Sequence, residues 1–231
     1  MVFVTGDIHG HHDIGKLGSK SFHEGRDLTK SDYVICTGDF GLIWDVNESG
    51  PQEKYWLDWL TDKKWTTLFL DGNHENFDRL FALPEKIMLG GKVGIVNDSI
   101  FHLKRGEIYW FDNHKVFVFG GAQSIDKIFR TPFISWWPQE IPSYTEMQYG
   151  LENLEKVENE VDYILTHTGP RKIVDQVPYK MTEKMNDPTL DYLTKIDDTI
   201  KFKKWYFSHM HEDMIIEDKY ICQYQKIERM L

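Results

Sequence analysis

The sequence predicts an α/β fold in which a mixed sheet, or two stacked sheets, is covered by helices. Three observations lead there. At both ends of the chain, short apolar runs rich in β-branched and aromatic residues alternate with stretches of helical period. Between 92 and 120 the pattern changes to a series of strand-like runs separated by turn residues. The chain has 231 residues, 41% hydrophobic and 14% aromatic, enough for a sizeable core, and no repeat, low-complexity tract or linker divides it. A single domain over residues 1–231 is expected.

Buried strands are expected at Val2–Thr5, 33–37, 67–70, Tyr163–Thr166 and 205–207, each a short apolar run stopped by glycine or a polar residue. Helices are expected at 52–63, with Tyr55, Trp56, Trp59 and Leu60 on one face, at 145–160, with Met147, Leu151, Leu154 and Val157, and at 189–203, with Leu190, Leu193, Ile196 and Ile200. The middle offers strands at 93–96, Ile100–Leu103, 107–111 and 115–119, the last two joined at Asp112 and Asn113. A final hairpin is expected from 214–217 and 220–225, turning at Asp218 and Lys219.

Composition narrows the function. The formal charge is −10, from 27 basic and 37 acidic residues, which argues against a broad face for duplex DNA or an anionic membrane. A local positive site made by bound metal ions remains open. Cys36 and Cys222 each sit in an apolar run and read as buried free thiols, which suits a reducing compartment. The first strand begins almost at Met1, so no leader is expected, and the apolar runs are strand-sized. A soluble, cytoplasmic protein is the expectation.

The polar residues fall in a pattern. Behind Val2–Thr5 comes GDIHG, with Asp7 and His9; behind 33–37 comes GDF, with Asp39; behind 67–70 comes DGNHE, with Asn73 and His74. Behind Tyr163–Thr166 comes HTGP, with His167, and behind 205–207 comes SHMHE, with His209 and His211. Any one of these is an ordinary turn or a surface histidine. Five strands that all end in metal-competent side chains point to one edge, where ligands gather in open α/β sheets. The donors are oxygen and imidazole without thiolate, which suits Mn²⁺, with Fe or Zn²⁺ as alternatives, and they are too many for one metal that keeps an open position.

Read in order, GDIHG, TGDF, DGNHE, THTGP and SHMHE resemble the signature of the calcineurin-like metallophosphoesterases, in the manner of bacterial and phage members of unassigned substrate. The resemblance runs from Asp7 to His211. It implies two stacked mixed β-sheets flanked by helices and a centre of two divalent transition-metal ions. By resemblance, Asp7, His9 and His211 bind one ion, Asn73, His167 and His209 bind the other, and Asp39 bridges. His74 matches the histidine taken as general acid or transition-state stabiliser. Two ions bring about +4 and the two aspartates about −2, which leaves the site ready for a phosphate oxyanion. Hydroxide activated by metal then attacks phosphorus, and the loose transition state needs positioning and charge neutralisation more than covalent help.

The resemblance implies a phosphomonoester or phosphodiester substrate, expected to be a small molecule or nucleotide. Alternatives are a serine/threonine-type phosphoprotein phosphatase, a nucleotide or nucleic-acid phosphodiesterase and, last, a non-enzymatic scaffold. The protein phosphatases of the superfamily carry GDxxDRG where this chain has GDFGLIWD; Leu42 replaces the aspartate that would pair with the catalytic histidine, and Asp45 is misplaced to substitute. The segment 122–144 crowds Phe129, Phe133, Trp136, Trp137 and Tyr144 around Lys127 and Arg130. It reads either as a lid, with Arg130 gripping phosphate and Trp136 and Trp137 stacking a ring, or as a packed loop or oligomer contact. His11, with His12, extends the first motif toward substrate. Arg79 and Arg171 are phosphate ligands or salt-bridge residues. His23, His102 and His114 lie outside the motifs and receive no role.

Overall fold

The computed structural model describes residues 1–178 and 187–231. Two β-sheets face each other. The first has the order β13-β1-β2-β3-β6-β5-β4, from β1 (Val2–Thr5), β2 (Tyr33–Cys36), β3 (Thr66–Phe69), β4 (Glu85–Met88), β5 (Gly91–Asn97), β6 (Ile100–Leu103) and β13 (Ile227–Arg229). The second has the order β11-β12-β10-β9-β8-β7, from β7 (Ile108–Phe111), β8 (His114–Phe119), β9 (Tyr163–Thr166), β10 (Lys204–Phe207), β11 (Met214–Ile216) and β12 (Tyr220–Cys222). Both sheets are mixed: β1, β2, β3 and β6 pair in parallel in one, and β8, β9, β10 and β12 in the other.

The period-2 alternation of side chains explains the layering. Val2, Val4, Ile35, Leu68 and Leu70 of the first sheet meet Val116, Val118, Leu165, Tyr206 and Ile221 of the second in an inter-sheet core. Intervening residues such as Phe3, Val34, Cys36 and Phe69 face outward and are covered by α1 (Pro51–Thr61), α2 (Phe77–Phe81) and the loops around them. On the other side Phe117, Phe119, Trp205 and Phe207 pack against α3 (Tyr144–Lys156), α4 (Arg171–Val174) and α5 (Pro188–Thr199). Strands buried on both faces read as continuous apolar runs, which is what the sequence shows. Both cysteines are buried and free.

The helices start where local chemistry allows. Ser143 and Glu146 form a capping box on α3, and Asp187 accepts from the Thr189 N–H ahead of Pro188 on α5. Leu190, Leu193 and Ile196 of α5 are buried, each contributing roughly 1.5–3 kcal/mol. The face expected for α1 is corrected. Glu53, Leu57 and Leu60 point inward, Trp56 and Trp59 are half-buried, and Tyr55 is 61% exposed. Glu53 turns in because Arg79 pairs with it at 2.6 Å and the Trp44 and Asp45 N–H groups donate to it. Strands β4 and β13 were not expected from the sequence, and both lie at sheet edges. No helix among the described residues is long and apolar enough to cross a membrane.

Candidate metal centre

The parallel strands at the middle of each sheet carry the motif residues at their carboxyl ends. Asp7 and His9 follow β1, Asp39 follows β2, Asn73 and His74 follow β3, His167 follows β9, and His209 and His211 follow β10. The turns are tied together across strands: the His9 N–H donates to Asp39 O at 2.7 Å, and the Asn73 and His74 N–H groups donate to Asp39 Oδ1 at 2.8 and 2.7 Å. Gly38 and Gly72 leave no room for a side chain, since a Cβ would lie 2.1 Å from His167 Nδ1 and Asp39 Oδ1 respectively. Four of the expected ligands hold left-handed backbone despite being non-glycine: His9 at φ 46°, Asp39 at 45°, His209 at 69° and His211 at 52°. Such strain concentrates at functional sites.

Three groups of ligand atoms, each within 4.8 Å of one another, form here: Asp7 with His9 and His211; His9 with Asp39 and His74; and Asp39 with His167 and His209. Asn73 joins the last through its Oδ1, 3.1 Å from His167 Nε2. Asp39 belongs to groups on both sides. Its Oδ1 is occupied by the two N–H donors, while Oδ2 faces His9 Nε2 at 3.2 Å and His74 Nε2 at 4.0 Å.

The histidines are oriented from behind. His167 Nδ1 lies 3.0 Å from Thr37 O and 3.1 Å from Ser208 Oγ, which turns Nε2 toward Asn73 and Asp39. His9 Nδ1 lies 3.0 Å from Asp13 Oδ2, which turns its Nε2 toward Asp39. Backing of this kind fixes the ring that binds a metal. His211 stacks on Tyr224, centroids 4.7 Å apart, and the Tyr224 hydroxyl donates to Asp13. Asp13 and Tyr224 carry no metal-motif signal, and Tyr224 lies 211 positions from its partner. Lys16 sits beneath, donating to Gly6 O, Asp7 O and Tyr224 O rather than to a carboxylate.

Electrostatics follow from burial opposed by pairing. Burial acts to lower His9, but Asp39, Asp7 and Asp13 outweigh it and raise it to about 9; His167 is raised to about 9 likewise by Asp39 and Asp7. Burial and the adjacent His167 bring His209 down to about 3. Burial acts to raise Asp7, yet His211 and His167 bring it to about 2. Asp39 falls well below the usual range, held by His167 and His74 against its burial. Asp7 Oδ2 is buried without a hydrogen bond although His211 Nε2 stands 3.1 Å away. Oxygen and imidazole donors gathered within 4.8 Å of one another, held together without metal by protons that a cation would displace, fit a divalent transition metal.

His74 lies beside this cluster. Arg130 Nη2 is 3.3 Å from its Nε2, held there by Asp126 at 2.7 Å and by Ser135 O at 3.1 Å. A guanidinium only donates, so His74 Nε2 accepts and the ring is neutral. Burial lowers the His74 pKa, and Arg130 lowers it further against Asp39. The segment 122–144 is rooted inside, with Ser124 on buried Glu140 and the Trp137 indole donating to Asp78, while Ile128 and Phe129 are 86% and 85% exposed at its tip.

A cavity of about 540 Å³ opens on the cluster, lined by His9, His74 and His211 together with His11, His12 and Trp44. His11 therefore lies where substrate was expected. Trp137 is corrected: it is 1% exposed and packs in the core, so it offers no face to a ligand. Trp136 is half-buried beside Lys127 and away from the cavity lining. Arg79 is committed to Glu53, and Arg171 pairs with Asp191. Asp45 accepts from the Gly50 N–H and Leu42 is buried, so the loop after β2 places no carboxylate behind His74. His102, given no role, joins a buried ion cluster with Asp71 and Arg105.

A family profile, that of the calcineurin-like phosphoesterases, matches residues 1–213. No curated protein matches the chain. Among solved structures, the fold is similar to a protein named as a 5′-nucleotidase from Staphylococcus aureus, solved with α-ketoglutarate, at TM-score 0.51 and 15% identity, covering 98% of this chain and 49% of that one. The chain thus spans about half the length of that protein. A phosphopantetheinyl hydrolase from Mycobacterium tuberculosis aligns at TM-score 0.47 and 15% identity, covering 97% of this chain and 89% of the other.

Proposed function

The chain belongs to the calcineurin-like phosphoesterases; from that premise we propose a metal-dependent phosphoester hydrolase with a dinuclear centre acting on a small phosphorylated substrate. Asp7, His9 and His211 hold one ion, Asn73, His167 and His209 hold the other, and Asp39 serves both. The observation that carries this is the position of Asp39, common to two ligand groups, one with His9 and the other with His167 and His209, its Oδ2 matched by imidazole alone. Mn²⁺ is the first choice on donor chemistry. Bound divalent ions would neutralise phosphoryl charge and supply a water-derived nucleophile at neutral pH.

The protein's own groups do the rest. Asp13, Thr37 and Ser208 keep the imidazole donors turned inward. His74 serves the leaving oxygen as general acid. In the resting arrangement Arg130 occupies His74 Nε2. Transfer of Arg130 to the phosphoryl oxygens, a bidentate partner for a guanidinium, frees that nitrogen to take up a proton from solvent, which it then delivers to the leaving oxygen.

Titration of the purified protein with Mn²⁺, followed by hydrolysis of p-nitrophenyl phosphate and bis-p-nitrophenyl phosphate, tests the reading and separates monoesterase from diesterase. Two equivalents bound and metal-dependent turnover of one ester are expected. Saturation at one equivalent would overturn the dinuclear centre.

A further inference from the structure

Trp44 belongs to no metal motif, yet the fold fixes it beside the metal edge. The N–H groups of Trp44 and Asp45 donate to Glu53 Oε2 at 3.0 Å each, and the Asn76 side chain donates to both carbonyls. The ring packs edge-on against buried Trp137, centroids 5.8 Å apart at 74°, and its centroid lies 6.4 Å from that of His74. Gly10 and Gly41 line the cavity with it. A Cβ on Gly41 would stand 2.7 Å from Gly10 N, so the first two motif loops touch through their backbones and cannot slide apart without breaking that contact.

We infer that Trp44 is the specificity-determining residue of this site, stacking a planar ring in the leaving group, so that the substrate class is ring-bearing phosphoesters of the nucleotide kind. The inference rests on the hydrolytic reading above and deepens it. His74 faces the leaving oxygen, and Trp44 stands next to His74, so whatever that oxygen carries passes over the indole. Among the described residues lining the cavity, the others are histidine, glycine and aspartate; Trp44 alone offers a large apolar face. Its backbone is already pinned, so little ordering is lost on binding. The volume of about 540 Å³ suits one small molecule.

The test compares adenosine 5′-monophosphate with glycerol 3-phosphate on the Mn²⁺-loaded protein. Both leave as primary alkoxides, so the chemistry is matched and the ring differs. In Trp44→Ala the ratio of kcat/KM for the nucleotide over the glycerol ester should fall about ten-fold, the scale of one stacked ring, and the loss should sit in KM. Trp44→Phe should restore most of the ratio, and Trp44→Leu, which fills space without a ring, should not. Thermal melts check folding, and if Trp44→Ala does not fold, Trp44→Leu carries the comparison. An unchanged ratio, or full recovery by leucine, overturns the inference. If the native protein hydrolyses neither ester, equilibrium binding decides, and the hydrolytic reading stands or falls separately on the two nitrophenyl esters. Nucleotide binding about ten-fold tighter than the glycerol ester in the native protein, equalised in the variant, upholds the stacking role; equal binding by the native protein overturns it.

Discussion

Two buried carboxylate clusters lie on either side of the turn after β3, and only one of them contains its own permanent counter-charge. Asp71 receives Arg105 Nε at 2.8 Å and Nη2 at 2.7 Å on one oxygen and His102 Nε2 at 3.0 Å on the other. Arg105 spends its remaining donors on Gln139 O and Glu146. Two positions further on the arrangement reverses. Asp7 and Asp39 are equally buried, but the ion pairs given to them among the described residues come from imidazoles alone, and nearby Lys16 points at carbonyls. A buried carboxylate with a guanidinium is complete. One matched only by imidazoles, whose charge is optional, leaves its place for a removable cation.

The comparison breaks most plainly at Asp39. Asp39→Asn should lower metal content and abolish measurable hydrolysis; elemental analysis and turnover check it, and full activity in the variant would mean the open carboxylate is not the shared ligand. Next in size is His74→Ala, expected to cut turnover roughly 10²–10⁴-fold at normal metal content, and less for a nitrophenyl ester whose leaving group needs no proton. Equal loss on alkyl and nitrophenyl esters would assign His74 to charge stabilisation instead.

On the closed side, Arg105→Ala strands Asp71 and should cost about 3–5 kcal/mol in denaturant unfolding, with metal affinity of the folded fraction unchanged. Weakened metal binding there would merge the two clusters into one. Asp13→Asn sharpens the open side: loss of the carboxylate behind His9 should weaken metal affinity about 10–100-fold, read by competition with a chelating dye.

The smallest effect is in pH. Without metal, His9 and His167 hold their protons to about pH 9 against an ordinary 6.5. Their contribution to stability is whole below about pH 6.5 and is lost as pH rises through about 9. The melting temperature of the metal-free protein should therefore fall across that window, more than that of the Mn²⁺-loaded form. Metal binding at pH 7.5 should release protons, seen as a dependence of the calorimetric heat on buffer ionisation. A flat melting temperature from pH 6.5 to 9 would show that neither ring is charged.

The fold of the open side was legible because its information is local. An apolar strand, a glycine and a ligand follow each other within a few residues, so GDIHG and DGNHE announce both the strand end and what it carries. What escaped the sequence depends on distant partners. Strand β4 is an edge strand of mostly exposed residues whose pairing comes from β5. Trp137 reads equally as a stacking face or as part of a packed loop until Asp78 is placed at its indole N–H. Asp13 and Tyr224 meet where the chain passes from β12 to β13 beside β1, and Trp44 gains its meaning from the cavity. Tyr55 was misplaced for a related reason, since the inward position of α1 belongs to Glu53 and its long-range partner Arg79.

The left-handed backbone at His9, Asp39, His209 and His211 also sets how the sequence can drift. Glycine would occupy each of those positions without strain, whereas a side chain there costs on the order of 1–3 kcal/mol. Each is thus a place where a common kind of substitution would relax the chain while deleting a donor. A library screened only for thermal resistance should accept glycine most readily at His209 and least at Asp39, whose carboxylate holds the Asn73 and His74 N–H groups, and one screened for metal-dependent turnover should exclude it at all four.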